Sequence, residues 1–369
     1  MAVERLVSPT VNVASDPPEH ERSASALASL RPRTLAEYVG QPDLVQRLAI
    51  TIQAVRERGE PMEHVLLHGP PGLGKTTLAH VIAEEMSAPG TSAGFVAEPP
   101  HPGRVQVHVT SGPALTRPTD LVRVLCSMAP RDVLFIDEIH RLPIAVEEFI
   151  YPAMEDFVID IRVESGMHAQ TIQKTLAPFT LIGATTRAGL VSSPLRSRFG
   201  ITHSLRYYTD AELLTILRRS AGLLGGGVQA TDDALKLIAS RSRGTPRIAN
   251  RLLRRVRDFA QVKGDGKLTP KMVNDALALE GIDGLGLDEL DRSYLRVIAK
   301  TYAGGPVGLE AVAATLNHDS GTLEDVVEPY LLQIGFLART RRGRALTAAG
   351  AKHIGVPHAA PTADLFERE

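Results

Sequence analysis

The chain has 369 residues, 43% hydrophobic and 22% charged, with a formal net charge of −1 and a single cysteine, Cys126. That length exceeds what one core usually supports and calls for two or three domains. One cysteine excludes a disulfide within the chain and suits a reducing cytoplasm; no run approaches the ~20 apolar residues of a spanning helix. The near-zero charge excludes bulk attraction to nucleic acid, so any DNA surface must be a local basic patch.

Residues 1–29 are rich in Ser, Ala and Pro and lack periodicity, which predicts a disordered segment. Glu4, Arg5, Asp16, Glu19, Glu21 and Arg22 interrupt it, so it reads neither as a signal peptide nor as an anchor. From 30 to 208 apolar strands alternate with amphipathic helices: strands at 65–68, 133–137 and 180–184, helices at 75–86 and 145–157. This alternation predicts an α/β domain with a parallel sheet. Within it, 87–105 carries Pro89, Gly90, Gly94, Pro99, Pro100, Pro102 and Gly103 and reads as a surface loop without regular structure. From 209 to 279 the strands vanish and helices at 211–224, 232–243 and 247–262 predict a small helical lid. From 280 to 355, three short helices (291–302, 309–316 and 323–334) precede strand-like pieces at 336–339 and 344–347. That order predicts a winged helix, related to helix-turn-helix DNA readers. Residues 356–369 read as a loose tail.

The first strand runs into His68-Gly-Pro-Pro-Gly-Leu-Gly-Lys-Thr-Thr77, which fits the phosphate-binding loop G-x-x-x-x-G-K-[ST] at every position. Gly69, Gly72 and Gly74 let the backbone turn its N–H groups inward, toward the start of the next helix. Lys75 is placed to reach the β- and γ-phosphates of ATP and Thr76 to hold Mg²⁺. About sixty residues on, a buried strand ends in Asp137 and Glu138. Asp137 is assigned to the Mg²⁺ shell, and Glu138 to orienting and deprotonating the attacking water.

Strand ends gather on one edge of a parallel sheet, so Thr186 can sit beside the γ-phosphate. Arg196 and Arg198 follow Pro194 in a short loop. Either could act at a neighbouring subunit's nucleotide, or serve in surface salt bridges worth only ~0–1 kcal/mol. Arg247 stands in a helix first turn, against the helix dipole, and calls for an anionic partner such as nucleotide phosphate. Arg251, Arg254, Arg255 and Arg257 read as a solvated or subunit-facing surface. Arg339-Thr-Arg-Arg-Gly-Arg344 places four arginines in six residues of the expected hairpin. Packing explains them poorly, and a wing on a phosphate backbone explains them well.

Together these motifs look like the AAA+ ATPase class. The stretches LRPR (30–33), YVGQP (38–42), HGPPGLGKTT (68–77), LFIDEIHR (134–141), YPAMED (151–156), FTLIGATTRAG (179–189), RGTPRIANRLLRRVRD (243–258) and GGPVGL (304–309) resemble the RuvB family, over residues 30 to 355. The resemblance implies a hexameric ring that encircles duplex DNA and drives branch migration of Holliday junctions in recombination and repair. It further implies ATP and Mg²⁺ as cofactors, loading by the partner RuvA, and a RuvC-type resolvase in the same complex. Carried over by position, Leu30, Arg31, Glu155, Asp156 and Phe157 lie near the adenine, and Lys75, Thr76 and Thr77 bind phosphate. Thr186 matches the first sensor, Arg198 the arginine finger in trans, Tyr208 a nucleotide contact and Arg247 the second sensor. Arg339 and Arg344 match the DNA-contacting wing. Residues 157–179 match a hairpin that docks RuvA, with Ile159, Ile161 and Val163 as its apolar face. The departure is 87–105, because the family pattern passes almost directly from the helix to TSGP at 110–113. The motifs also leave open a clamp-loader-like switch that uses ATP to load a partner on DNA without translocating.

Overall fold

The structure, a computed structural model, describes residues 30–87, 94–95, 103–162, 171–224 and 229–357. The expectations for 1–29, for most of 87–105 and for most of the tail fall outside them. Two compact units are present, Met1–Arg31 and Pro32–Glu369; only Leu30 and Arg31 of the first are described.

Six parallel strands form the central sheet: β1 (Val65–His68), β2 (Gly94–Phe95), β3 (Gln106–Ser111), β4 (Val133–Asp137), β7 (Thr180–Thr185) and β8 (Ile201–Ser204). Their order is β2-β3-β4-β7-β1-β8. β7 is buried along its whole length and β4 in all but its last residue, whereas β8 at the edge alternates. The continuous apolar runs of the central strands are those of a parallel sheet covered on both faces. Helices α1 (Pro42–Arg58), α2 (Lys75–Met86), α3 (Pro118–Ser127) and α4 (Ile144–Glu155) accompany it. The insertion contributes one regular element after all: Gly94 and Phe95 pair with Gln106 and Val107 and extend the sheet edge. A separate antiparallel hairpin joins β5 (Val158–Arg162) to β6 (Thr171–Thr175).

A capping box opens the lid, with the Thr209 hydroxyl accepting from Glu212 N and the Glu212 carboxylate from Thr209 N; such caps contribute ~1 kcal/mol. Helices α6 (Asp210–Leu223), α7 (Asp232–Ser240), α8 (Pro246–Lys263) and α9 (Pro270–Leu279) follow the short α5 (Ser193–Arg196). The lid is not strand-free, since β9 (Gln229–Ala230) and β10 (Lys267–Leu268) form a two-residue parallel pair. A second capping box, between Asp288 and Asp291, opens the head.

The head has its own core around Tyr294, Leu295, Ile298, Leu323 and Leu331. It contains α10 (Glu289–Thr301), α11 (Leu309–Leu316), α12 (Glu328–Gln333), the antiparallel pair β11 (Leu337–Thr340) and β12 (Gly343–Leu346), and α13 (Ala348–His353). Helices followed by a wing hairpin make it a winged helix. The single helix expected at 323–334 is instead a π-type turn, Leu323–Val327, leading into α12. Pro329, second in α12, has no N–H to give to a regular i−4 bond, and the wide turn accommodates this.

Candidate functional site

Because every strand of the sheet is parallel, the ends of β1, β4 and β7 converge on one edge. After His68 the chain leaves β1 and Gly69 N donates to Thr185 O at 3.2 Å, tying the loop to the end of β7. Gly69 has φ +136°, and a Cβ there would lie 2.7 Å from Leu205 O. Helix α2 begins at Lys75 behind Gly74, with no side-chain cap on its first N–H groups. Those donors and the helix dipole make an anion site. The Lys75 ammonium is nearly buried and donates to Gly69 O (2.8 Å) and Pro70 O (3.0 Å). Burial lowers its pKa; Asp137 and Glu138 oppose the shift and Arg247 adds to it. A cation held this far out of water is stabilised by an arriving phosphate. Thr76 and Thr77 follow it in the first turn.

At the end of β4, Asp137 Oδ1 accepts from Glu138 N at 3.0 Å. Glu138 itself has φ +48°, a left-handed conformation that costs a non-glycine residue about 1–3 kcal/mol and is typical of functional positions. The bend lifts its carboxylate toward β7, where Thr186 Oγ1 donates to Oε2 at 3.2 Å. The structure thus brings Lys75, Asp137, Glu138 and Thr186 to one sheet edge. Sequence reasoning missed two supports. His140 Nδ1 lies 3.2 Å from Glu138 Oε2 and 2.8 Å from Thr185 Oγ1. Gly112 is packed so tightly that a Cβ would sit 2.4 Å from Glu138 O. His140 belongs to a stretch that carried the resemblance, yet neither residue has a chemical signature in isolation.

The lid reaches the same loop. Arg247 N donates to Gly72 O at 3.4 Å, and a Cβ on Gly72 would approach Arg247 Cβ to 3.2 Å. Arg247 is therefore on the phosphate loop. Tyr208 is buried at the junction of lid and sheet. Its hydroxyl lies within hydrogen-bond distance of Leu73 O (3.3 Å) and Tyr38 Oη (3.2 Å), and its backbone N donates to Gly244 O (2.9 Å). Burial, followed by Tyr38, raises its pKa, so it is a neutral phenol that locks the loop to the lid. Leu30 and Arg31 belong to the other unit.

Within one subunit, Glu155, Asp156 and Phe157 lie away from the phosphate loop. His64 Nε2 lies 3.0 Å from Met154 O, and the His64 and Phe157 rings pack edge-on at 6.5 Å between centroids. His64 precedes β1 and the phosphate loop follows it, so these three residues stand at the opposite edge, a strand length of about 13 Å away. Phe157 also packs against Phe179. Arg198 shares that far edge. Its Nη2 is 3.2 Å from Glu155 Oε1, its Nη1 donates to Pro194 O at 2.6 Å, and its guanidinium lies 4.2 Å over the Tyr151 ring. Arg196 Nη2 is committed to Ala188 O (2.6 Å) and Val191 O (3.1 Å). Arg196 thereby lies just past the end of β7, close enough to His68 that, after burial, it too lowers the imidazole pKa, whereas Arg198 stands away from the phosphate loop of its own subunit.

In the wing, Arg339 and Arg344 converge on one acid. Arg339 donates Nε (2.9 Å) and Nη2 (2.5 Å) to Glu328 Oε2, and Arg344 Nε donates to Glu328 Oε1 at 2.8 Å. Tyr294 Oη donates to the same carboxylate at 2.5 Å. Glu328 is fully buried, while the Arg339 side chain keeps 44% of its exposure and Arg344 19%. Arg341 and Arg342, at the hairpin turn, are exposed. In the β5–β6 hairpin, Ile159 is fully buried in the sheet core and Ile161 is packed against it, so that face is occupied. Ile172 is the exposed apolar residue, and Val163 lies outside the described residues.

Among the described residues no cluster of three or more His, Cys, Asp or Glu could hold a metal. No helix of the described residues is long and apolar enough to cross a membrane.

Three family models match consecutive parts of the chain: the Holliday junction DNA helicase RuvB P-loop domain over residues 30–205, the RuvB AAA lid domain over 208–283 and the RuvB C-terminal winged helix domain over 284–355. A Kosmotoga olearia protein named Holliday junction branch migration complex subunit RuvB is 53% identical over 328 residues, 89% of this chain and 90% of the relative. A protein of the same name from Latilactobacillus sakei is 50% identical over 358 residues, 97% and 99% of the two chains. Among solved structures, the Thermotoga maritima RuvB Holliday junction branch migration motor matches with a TM-score of 0.76 at 48% identity, over 89% of this chain and 99% of that one.

Proposed function

This chain belongs to the RuvB family, and on that premise we propose a mechanism in which each ATP is hydrolysed between two subunits of a ring. The protein is an ATP hydrolase and a branch-migration motor at Holliday junctions. The observation that carries the shared site is the separation of Lys75 and Arg198 on opposite edges of one sheet. A single subunit holds the phosphate loop but cannot bring its own arginine to it. A head-to-tail neighbour can, and a closed ring of six presents every loop to a partner's Arg198 and Glu155.

In this reading Lys75, the uncapped start of α2 and Arg247 hold the phosphates. Glu138 takes the proton of the attacking water, and Thr186 fixes the carboxylate against β7. Arg198 of the next subunit meets the charge that develops on the transferred phosphoryl group, a contribution of about 10³–10⁵ in rate, or roughly 4–7 kcal/mol. Thr76 and Asp137 offer a hydroxyl and a carboxylate oxygen suited to Mg²⁺, which when bound neutralises phosphate charge. The exposed Arg341 and Arg342 of the wing contact the DNA backbone without reading sequence. We assign loading at the junction to RuvA, docked on the outer face of the β5–β6 hairpin at Ile172, with a RuvC-type resolvase acting in the same complex.

Dissociation of a synthetic four-way junction, with and without RuvA, tests this function. The intact protein separates the arms in an ATP-dependent reaction, and Glu138→Gln abolishes both hydrolysis and separation. Normal turnover by Glu138→Gln would remove Glu138 from the role of base. A protein that hydrolysed ATP on the junction without separating it would be the loader-type switch instead.

A further inference from the structure

The 3₁₀ turn after Glu138 folds His140 back under the sheet edge, where its side chain is only 7% exposed. Its Nδ1 faces two oxygens: Thr185 Oγ1 at 2.8 Å and Glu138 Oε2 at 3.2 Å. Thr185 is itself fixed, because its hydroxyl accepts from Arg187 N at 2.9 Å and its carbonyl accepts from Gly69 N at 3.2 Å. His140 therefore stands between the acid and a residue pinned both to the phosphate loop and to the sensor strand. Thr186 holds the same oxygen of Glu138 from the other side.

We propose that His140 is a positioning residue for ATP hydrolysis, whose Nδ1–H clamps Glu138 Oε2 to Thr185 so that Oε1 is aimed to take the proton of the attacking water. The inference rests on the reading of Glu138 as the base. It goes beyond that reading in assigning the aim of the carboxylate to a residue that touches neither nucleotide nor water. Burial lowers the pKa of the imidazole, against a smaller opposing pull from Glu138, which keeps the ring neutral at neutral pH. A neutral ring serves the clamp only as the Nδ1–H tautomer, since the other presents a lone pair to the carboxylate. Glu138, in its left-handed turn, depends on such support, because nothing in a regular strand or helix fixes its side chain.

The test compares steady-state ATP hydrolysis on duplex DNA by the full-length chain and by His140→Ala, His140→Asn and His140→Gln, with ADP affinity and melting temperature measured for each. An asparagine amide can donate from the place of Nδ1, whereas the glutamine amide mimics Nε2 and misses it. The expected result is a kcat about 10- to 100-fold lower in His140→Ala and His140→Gln, the loss a misaimed catalytic group brings. KM and ADP affinity stay within about twofold, and His140→Asn recovers most of the rate. Adding His140→Ala to Glu138→Gln lowers the residual rate no further, because the two act as one unit. A wild-type kcat in His140→Ala overturns the proposal. So do equal losses in His140→Ala and His140→Asn, the mark of a purely structural residue. Undiminished hydrolysis by Glu138→Gln alone would show that the base assignment, and not the clamp, had failed.

Discussion

Arg187, the residue after the sensor threonine, donates Nε at 3.0 Å and Nη2 at 2.8 Å to one oxygen of Asp325 in the head. The same Nη2 lies 3.0 Å from Glu324 Oε2, and Glu324 Oε1 lies 3.7 Å from both Arg339 and Arg344 of the wing. A continuous chain of charges thus joins the edge that carries the phosphate loop to the wing hairpin.

That chain predicts a coupling effect. Each partly exposed pair contributes only ~0–1 kcal/mol to stability, so Asp325→Asn should leave folding and basal hydrolysis near wild type. The stimulation of hydrolysis by DNA should fall several-fold, the scale of a coupling energy of about 1 kcal/mol. Unchanged stimulation would reduce the contact to an ordinary surface ion pair.

Glu328 anchors the wing. Burial alone would raise its pKa, but the donors Arg344, Tyr294 and Arg339 together outweigh burial and hold it below the ordinary 4.5. The unfolded chain therefore binds the proton more readily, so this contribution to stability is full above about pH 4.5 and fades as pH falls toward the folded value. Glu328→Gln, which leaves two arginines facing a neutral amide, should cost about 3–5 kcal/mol near neutral pH. Thermal unfolding of the full chain should show the gap between variant and wild type narrowing below about pH 4.5. A gap independent of pH would mean that the acid is neutral in the folded head.

The wing separates into anchors and contacts. Replacing Arg341 and Arg342 together with alanine should flatten the salt dependence of DNA binding by about 1.8 in log–log slope, if each meets one phosphate. Arg344→Ala should chiefly lower the melting temperature of the head. If the slope changed only with Arg344, the tip arginines would not be the DNA contacts.

Much of the nucleotide edge was legible in the sequence because its chemistry is local. A glycine-rich turn, a lysine and a helix start lie within ten residues, and parallel strands then bring Glu138 and Thr186 alongside. The internal partner of Arg339 and Arg344 was not legible, for the opposite reason. That partner, Glu328, is 11 and 16 residues away, on a different element. That Glu155 to Phe157 lie away from the phosphate loop of their own subunit was not legible either. Helix α4 starts near the end of β4 and carries these residues back past the start of β1, a fact that a motif match does not contain. The two-residue pair β9–β10 was too short to leave any alternation in the sequence.

Gly112 offers a test of how closely the acidic turn is held. A methyl there would press on Glu138 O at 2.4 Å and on the Arg141 carbonyl carbon at 3.1 Å, both backbone atoms. Gly112→Ala should therefore shift the turn and lower kcat by about tenfold or more, with nucleotide affinity little changed. Normal kcat would mean that the turn can move without disturbing the carboxylate.

The central claim is that the site is completed between subunits, and a mixture of two inactive variants tests it most directly. Lys75→Ala lacks a loop cation but keeps its arginine; Arg198→Ala keeps the loop but lacks the arginine. Each alone should hydrolyse ATP at a rate reduced by about 10³-fold or more. Mixed subunits should recover part of the activity, because an intact loop then meets an intact Arg198. Wild-type hydrolysis by Arg198→Ala alone, or no recovery in a mixture that assembles normally, would contradict the account.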